Sequence, residues 1–187
     1  VPRVALVTPL SNAQVVADAV PMLAEKKYWA DAIVCGGYAN RGIKYIHGFT
    51  LEIPLSQLQT AVNLLKVLKE TDATMKIVFV LPPIDVKIDD TNSHAALQHL
   101  STTVDRFSVM TYDDDRNGAP NSPINWVATV ISGLAQVPTM REKVLLGMPF
   151  YGWRTGGEDM TADKMILWLA QDSSVKIDFD EETQEHY

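Results

Sequence analysis

One cysteine, Cys35, occurs in 187 residues, so no internal disulfide framework holds this chain together. With no basic neighbour in sequence, that thiol reads as a packed side chain rather than a nucleophile. Basic clusters are also missing: 16 Lys and Arg stand against 23 Asp and Glu, for a net charge of −7. Nucleic acid and anionic membrane surfaces are therefore excluded as expected partners. No apolar run approaches the roughly 20 residues that a bilayer-spanning helix needs. No leader is visible, and because the chain opens at Val1 its absence carries no information about secretion. The four histidines, His47, His94, His99 and His186, show no metal-ligand spacing. There is no Gly-x-Ser-x-Gly elbow, and Gly36-Gly37 lacks the spacing of a phosphate loop. No metal and no cofactor are expected.

What is present is a chain 47% apolar, enough for a core. Strand-like runs alternate with helical patterns. Strands are expected at Val4–Thr8, Tyr45–Ile53, Lys76–Leu81, Phe107–Tyr112 and Val144–Phe150, with a last short one at Val175–Phe179. Between them, apolar residues at helical spacing predict helices over Ala13–Tyr28, from Ser56 through Leu68, over Ala95–Thr103, from Trp126 to Leu134, and over Ala162–Ala170. Such alternation implies a parallel sheet with right-handed crossovers, either doubly wound or a (β/α)₈ barrel. The missing glycine-rich loop after the first strand weakens the nucleotide-binding version. A complete barrel needs about 250 residues. The expected fold is therefore α/β, a single but incomplete barrel domain over residues 1–187.

Chemistry in barrels sits at the carboxyl ends of the strands, and three strand ends here are unusual. In Tyr45–Pro54, period-two alternation places Phe49, Leu51 and Ile53 on one face and Thr50, Glu52 and Pro54 on the other. An ordinary barrel strand with one buried carboxylate would show the same pattern. Met110-Thr-Tyr-Asp113 offers a phenol and a carboxylate, although Asp113, Asp114 and Asp115 could equally form a solvated turn. Gly147-Met-Pro-Phe-Tyr-Gly-Trp153 sets aromatic rings beside glycines, a platform for the C–H faces of sugars, unless Phe150, Tyr151 and Trp153 are core.

In identity, order and spacing these segments resemble glycoside hydrolase family 18, the chitinases and chitinase-like proteins. That family carries Asp-Gly-x-Asp-x-Asp-x-Glu on one strand, then Met-x-Tyr-Asp, then Gly-x-Pro-Phe-Tyr-Gly. More narrowly, Gly48–Glu52, Phe107–Asp113 and Leu145–Gly152 are similar to the stabilin-interacting chitinase-like lectin group. Val1–Arg3 resembles that group's third strand and Ile177–Tyr187 a later strand-and-turn segment, whereas Ala32–Ile43 departs from its pattern. The resemblance runs nearly end to end and implies roughly strands 3 to 7 of eight, with the family's remaining strands outside this chain.

On that alignment His47 takes the place of the first Asp, Thr50 and Glu52 those of the two inner Asp, and Pro54 that of the proton-donating Glu. Proline has no titratable group. Glu52 lies two residues back, about 6.6 Å at ~3.3 Å per residue, beyond hydrogen-bond reach of the leaving oxygen. The family's mechanism is substrate-assisted: the Glu protonates the glycosidic oxygen while the sugar's acetamido group attacks. Without that acid the resemblance implies a silent binding site, with no catalytic residue. It would hold amino-sugar oligosaccharides on Glu52, Met110, Tyr112, Asp113, Tyr151 and Trp153. A secreted or lysosomal location is implied in the same way, with a protein receptor as a further partner. Two other readings stay open, an active family 18 hydrolase with a displaced proton donor and a protein-interaction scaffold.

Overall fold

The computed structural model of the chain describes residues 5–9, 48–54, 57–83, 91–114, 120–153, 159–174 and 176–186. Five strands, β1 (Ala5–Pro9), β2 (Gly48–Glu52), β3 (Lys76–Leu81), β4 (Arg106–Val109) and β5 (Val144–Leu146), form one sheet in chain order. Every neighbouring pair is parallel. The helices α1 (Leu58–Thr71), α2 (Thr91–Thr103) and α3 (Ile124–Leu134) lie between successive strands, and α4 (Ala162–Gln171) follows the sheet. Parallel strands in sequential order, with their connecting helices on one face, form an arc of a (β/α) barrel.

The alternation read from Tyr45–Pro54 decides which face the helices cover. Phe49, Leu51 and Ile53 are fully buried, as are Ile77, Phe79 and Leu81 on β3 and Phe107 and Val109 on β4. They pack in one cluster with Leu58, Ala61, Leu64, Leu65 and Leu68 of α1, Leu97 and Leu100 of α2, and Val130 and Leu134 of α3. Phe79 and Phe107 meet edge to face, centroids 6.4 Å apart. Each such side chain contributes about 1.5–3 kcal/mol on burial, so this layer carries the fold. On the opposite face Thr50, Val78, Val80 and Ser108 are only half-buried and Glu52 is exposed.

Two polar clips pin the rim where strands begin. Asp105, just before β4, accepts Lys76 Nζ at 2.9 Å, Lys69 Nζ at 3.1 Å and the Ile77 N–H at 3.0 Å. Lys143, before β5, donates to the carbonyls of Ser101 and Val104 at 2.6 and 2.8 Å. Gly48 opens β2 where a Cβ would stand 2.4 Å from the Lys76 carbonyl oxygen, so only glycine lets the two strands close here.

Several boundaries differ from expectation. β4 stops at Val109 rather than Tyr112, and β5 at Leu146 rather than Phe150. Thr111 N–H turns back to the Val109 carbonyl, and Pro149 has no N–H for a ladder. Tyr151–Trp153 (β6) instead pairs antiparallel with Asp159–Thr161 (β7). The tail is no barrel strand: Phe179–Asp180 (β8) pairs antiparallel with Glu185–His186 (β9). The Asp180 carboxylate accepts the N–H groups of Glu182 and Thr183, and Gln184 takes a left-handed φ of 58°, which folds the segment into a tight turn. The helix expected over Ala13–Tyr28, together with Cys35, Ala32–Ile43, His47, Ser56 and Asp115, lies outside the described residues.

Candidate functional site

The loop after β4 is built by hydrogen bonds that hold it to β5. Gly147 N–H donates to the Val109 carbonyl at 2.8 Å, and Thr111 Oγ1 donates to the Gly147 carbonyl at 2.8 Å. A Cβ on Gly147 would sit 2.6 Å from Tyr112 Cε1, so the Tyr112 ring takes the space that a side chain at 147 would need. Asp113 then takes a left-handed φ of 58°, a conformation Asp tolerates better than most side chains.

Around that turn the rings gather. Tyr112 and Tyr151 meet edge to face at 6.4 Å, and Tyr151 and Trp153 at 5.8 Å, nearly perpendicular. The Tyr151 hydroxyl donates to Asp113 Oδ1 at 2.6 Å. Burial, then the hydrogen bond and charge of Asp113 and the nearby Tyr112, push the Tyr151 phenol up to about 12. It therefore remains a neutral donor across ordinary pH. Trp153 is 56% exposed and Phe150 81%, so neither is core among the described residues.

Asn121 ties the two halves together. Its carboxamide oxygen accepts the Asp113 N–H at 2.7 Å, and its nitrogen donates to the Tyr151 carbonyl at 2.9 Å. The next residue, Ser122, donates its hydroxyl to the Thr111 carbonyl and its N–H to Glu185 Oε1. Thr183 O accepts the Ile124 N–H at 3.0 Å. The tail ribbon thus satisfies backbone donors at the start of α3, which Pro123 cannot cap with a side chain.

Of the six residues singled out from sequence, Tyr112, Asp113, Tyr151 and Trp153 come together. Among the described residues no hydrogen bond, ion pair or ring contact joins the side chain of Glu52 or Met110 to that cluster. Glu52 is exposed on the sheet face opposite α1, α2 and α3, in register with Val80, which is in turn in register with Ser108. Met110 is half-buried at the end of β4, its N–H on the Leu81 carbonyl. Pro54 is exposed beyond β2, its carbonyl accepting the Gln57 N–H at 2.8 Å. Among the described residues no three His, Cys, Asp or Glu side chains gather as metal ligands, and no helix is long and apolar enough to cross a membrane. Asn121, Ser122 and Glu185 were missed in the sequence. The signal for Asn121 and Ser122 is only the Pro120-Asn-Ser-Pro123 loop composition, which marks a turn without saying what it holds, and Glu185 has none beyond its place in the acidic tail.

Fold and strand order define a portion of a (β/α) barrel, and the solved structures that share this fold include chitinases and spore cortex-lytic enzymes. The spore cortex-lytic enzyme SleL of Bacillus cereus superposes with a TM-score of 0.66 at 16% identity, over 96% of this chain and 46% of its own. A chitinase from Chromobacterium violaceum ATCC 12472 gives 0.63 at 15%, over 97% and 62%. YKL-39, solved in the presence of chitooligosaccharides, gives 0.60 at 12%, over 98% and 64%. The chain thus spans less than two thirds of each. No family model matches the sequence.

Proposed function

We propose that this chain carries one wall of a sugar-binding cleft in a catalytically silent chitinase-like protein, akin to the stabilin-interacting lectin group. The ligand class is amino-sugar oligosaccharides of the chitin type. The observation that carries the reading is the cluster of Tyr112, Tyr151 and Trp153 around Asp113 at the strand ends. Half-exposed rings offer stacking surface to sugar C–H faces, and a carboxylate held by a neutral phenol accepts from sugar hydroxyl or acetamido N–H groups. Support also comes from the neighbouring fold of YKL-39, solved with chitooligosaccharides.

Silence rests on Pro54. Where the resemblance puts the proton donor there is no titratable group, and Glu52 is displaced down the strand. A general acid contributes about 10²–10⁴-fold, before the lost positioning is counted. The same reading places the protein outside the cell or in the lysosome, with a protein receptor as a second partner.

Calorimetric titration of chitotetraose, with a fluorogenic chitobioside assay on the same preparation, tests this. The expected result is saturable heat of binding with no release of fluorophore. Turnover would make the protein a hydrolase with another acid. Neither binding nor turnover would favour a protein-interaction scaffold.

A further inference from the structure

Asn121 is where the two sides of the cluster meet. Its carboxamide uses both ends, oxygen to the Asp113 N–H and nitrogen to the Tyr151 carbonyl, while its own carbonyl accepts the Asp114 N–H at 3.2 Å. Across the same gap runs a second link, from the Tyr151 hydroxyl to the Asp113 carboxylate. Together they close a ring: Asp113 backbone, Asn121 side chain, Tyr151 backbone, phenol, Asp113 carboxylate. The ring also encloses the left-handed Asp113, whose backbone conformation persists only where its surroundings hold it.

We infer that Asn121 is a positioning residue of the sugar site, setting the separation of the Asp113 carboxylate and the Tyr151 ring so that one sugar residue meets both. The role rests on the sugar-binding reading and acts through Asp113 and Tyr151 rather than by contact with ligand. It needs a donor and an acceptor on one short planar group, which asparagine supplies. Aspartate would keep the acceptor for Asp113 N–H but set a carboxylate against the Tyr151 carbonyl. Glutamine would reach too far to serve both from the same Cα.

The test uses Asn121→Ala and Asn121→Asp with two readouts. One is chitotetraose affinity by calorimetry. The other is ionisation of Tyr151, followed by ultraviolet absorbance after a stopped-flow pH jump and isolated from the other tyrosines by subtracting Tyr151→Phe. In the unaltered protein Tyr151 is expected to ionise well above the ordinary 10, pushed up to about 12, and in Asn121→Ala the midpoint should fall back toward 10 as the Asp113 contact is lost. Chitotetraose binding weakens tenfold or more in both Asn121 variants. If Asn121→Ala gives no cooperative melt, Asn121→Ser replaces it on the same readouts. A folded variant with unchanged ionisation and unchanged affinity, even with a lower melting temperature, overturns the role. A parent protein that binds no sugar, together with a lowered Tyr151 midpoint in Asn121→Ala, overturns the sugar reading and leaves the positioning of Tyr151 standing.

Discussion

Trp153 and Pro54 carry opposite halves of the functional reading. Trp153 stacks edge-on against Tyr151 and leaves more than half its surface in solvent, so its removal touches ligand more than core. Trp153→Ala is expected to weaken chitotetraose binding five- to tenfold, about 1–1.4 kcal/mol, and to leave the thermal midpoint nearly unchanged. Calorimetry and a melt on the same sample check both halves; a large drop in the midpoint would mean the ring is structural. Pro54 was legible at once, because the lack of an ionisable group is a property of composition and needs no geometry. Tyr112, Asp113 and Tyr151 were legible as residues but not as a hydrogen-bonded unit. Their convergence depends on the left-handed turn at Asp113 and the bare backbone of Gly147, and neither is encoded in a spacing.

At the scale of elements, the Asp105 clip joins α1, β3 and β4 at the rim away from the site. Partial burial raises the Asp105 carboxyl, but the hydrogen bonds from Lys76, Ile77 and Lys69 outweigh it, and the net position is below the ordinary 3.8. A carboxyl depressed in the folded state adds stability above its unfolded value and loses it as pH falls through the folded value. Urea midpoints of the protein and Asp105→Asn should therefore differ clearly at neutral pH and converge in acid below that range. Equal midpoints at neutral pH would refute the clip. The tail ribbon makes a second prediction. Glu185→Ala removes the acceptor of the Ser122 N–H, so amide exchange at Ser122 should quicken while the core strands β3 and β4 keep their protection. Slow exchange at Ser122 in that variant would show that the loop holds itself. The sheet strands were readable from period-two alternation, as Phe49, Leu51 and Ile53 show. The ends of β4 and β5 and the fold of the tail were not, since they turn on Pro149, on the Thr111 reversal and on the Asp180 turn, which are tertiary or single-residue effects.

For the whole molecule, the sheet ends at β5, and among the described residues no strand pairs with its outer edge. Leu145 and Leu146 on that strand are 48% and 45% exposed, and Ile166 and Leu167 of α4 are exposed as well. Exposed apolar side chains of this kind bind apolar dyes. The chain should bind an anilinonaphthalene sulfonate dye, and Leu145→Lys with Leu146→Lys should lower its fluorescence without changing the far-ultraviolet dichroism. Unaltered fluorescence would place the dye elsewhere.

The hydrogen bond from Tyr151 to Asp113 spans 38 positions of sequence, and that from Asn121 to Tyr151 spans 30. The proposed sugar-binding wall is thus written within two consecutive β/α units. The parallel pairings of neighbouring strands in the sheet join segments of similar separation. Site and sheet are thus local in the same way, each laid down with successive β/α units, and the proposed binding wall is complete in sequence at Trp153, before the tail ribbon that braces it.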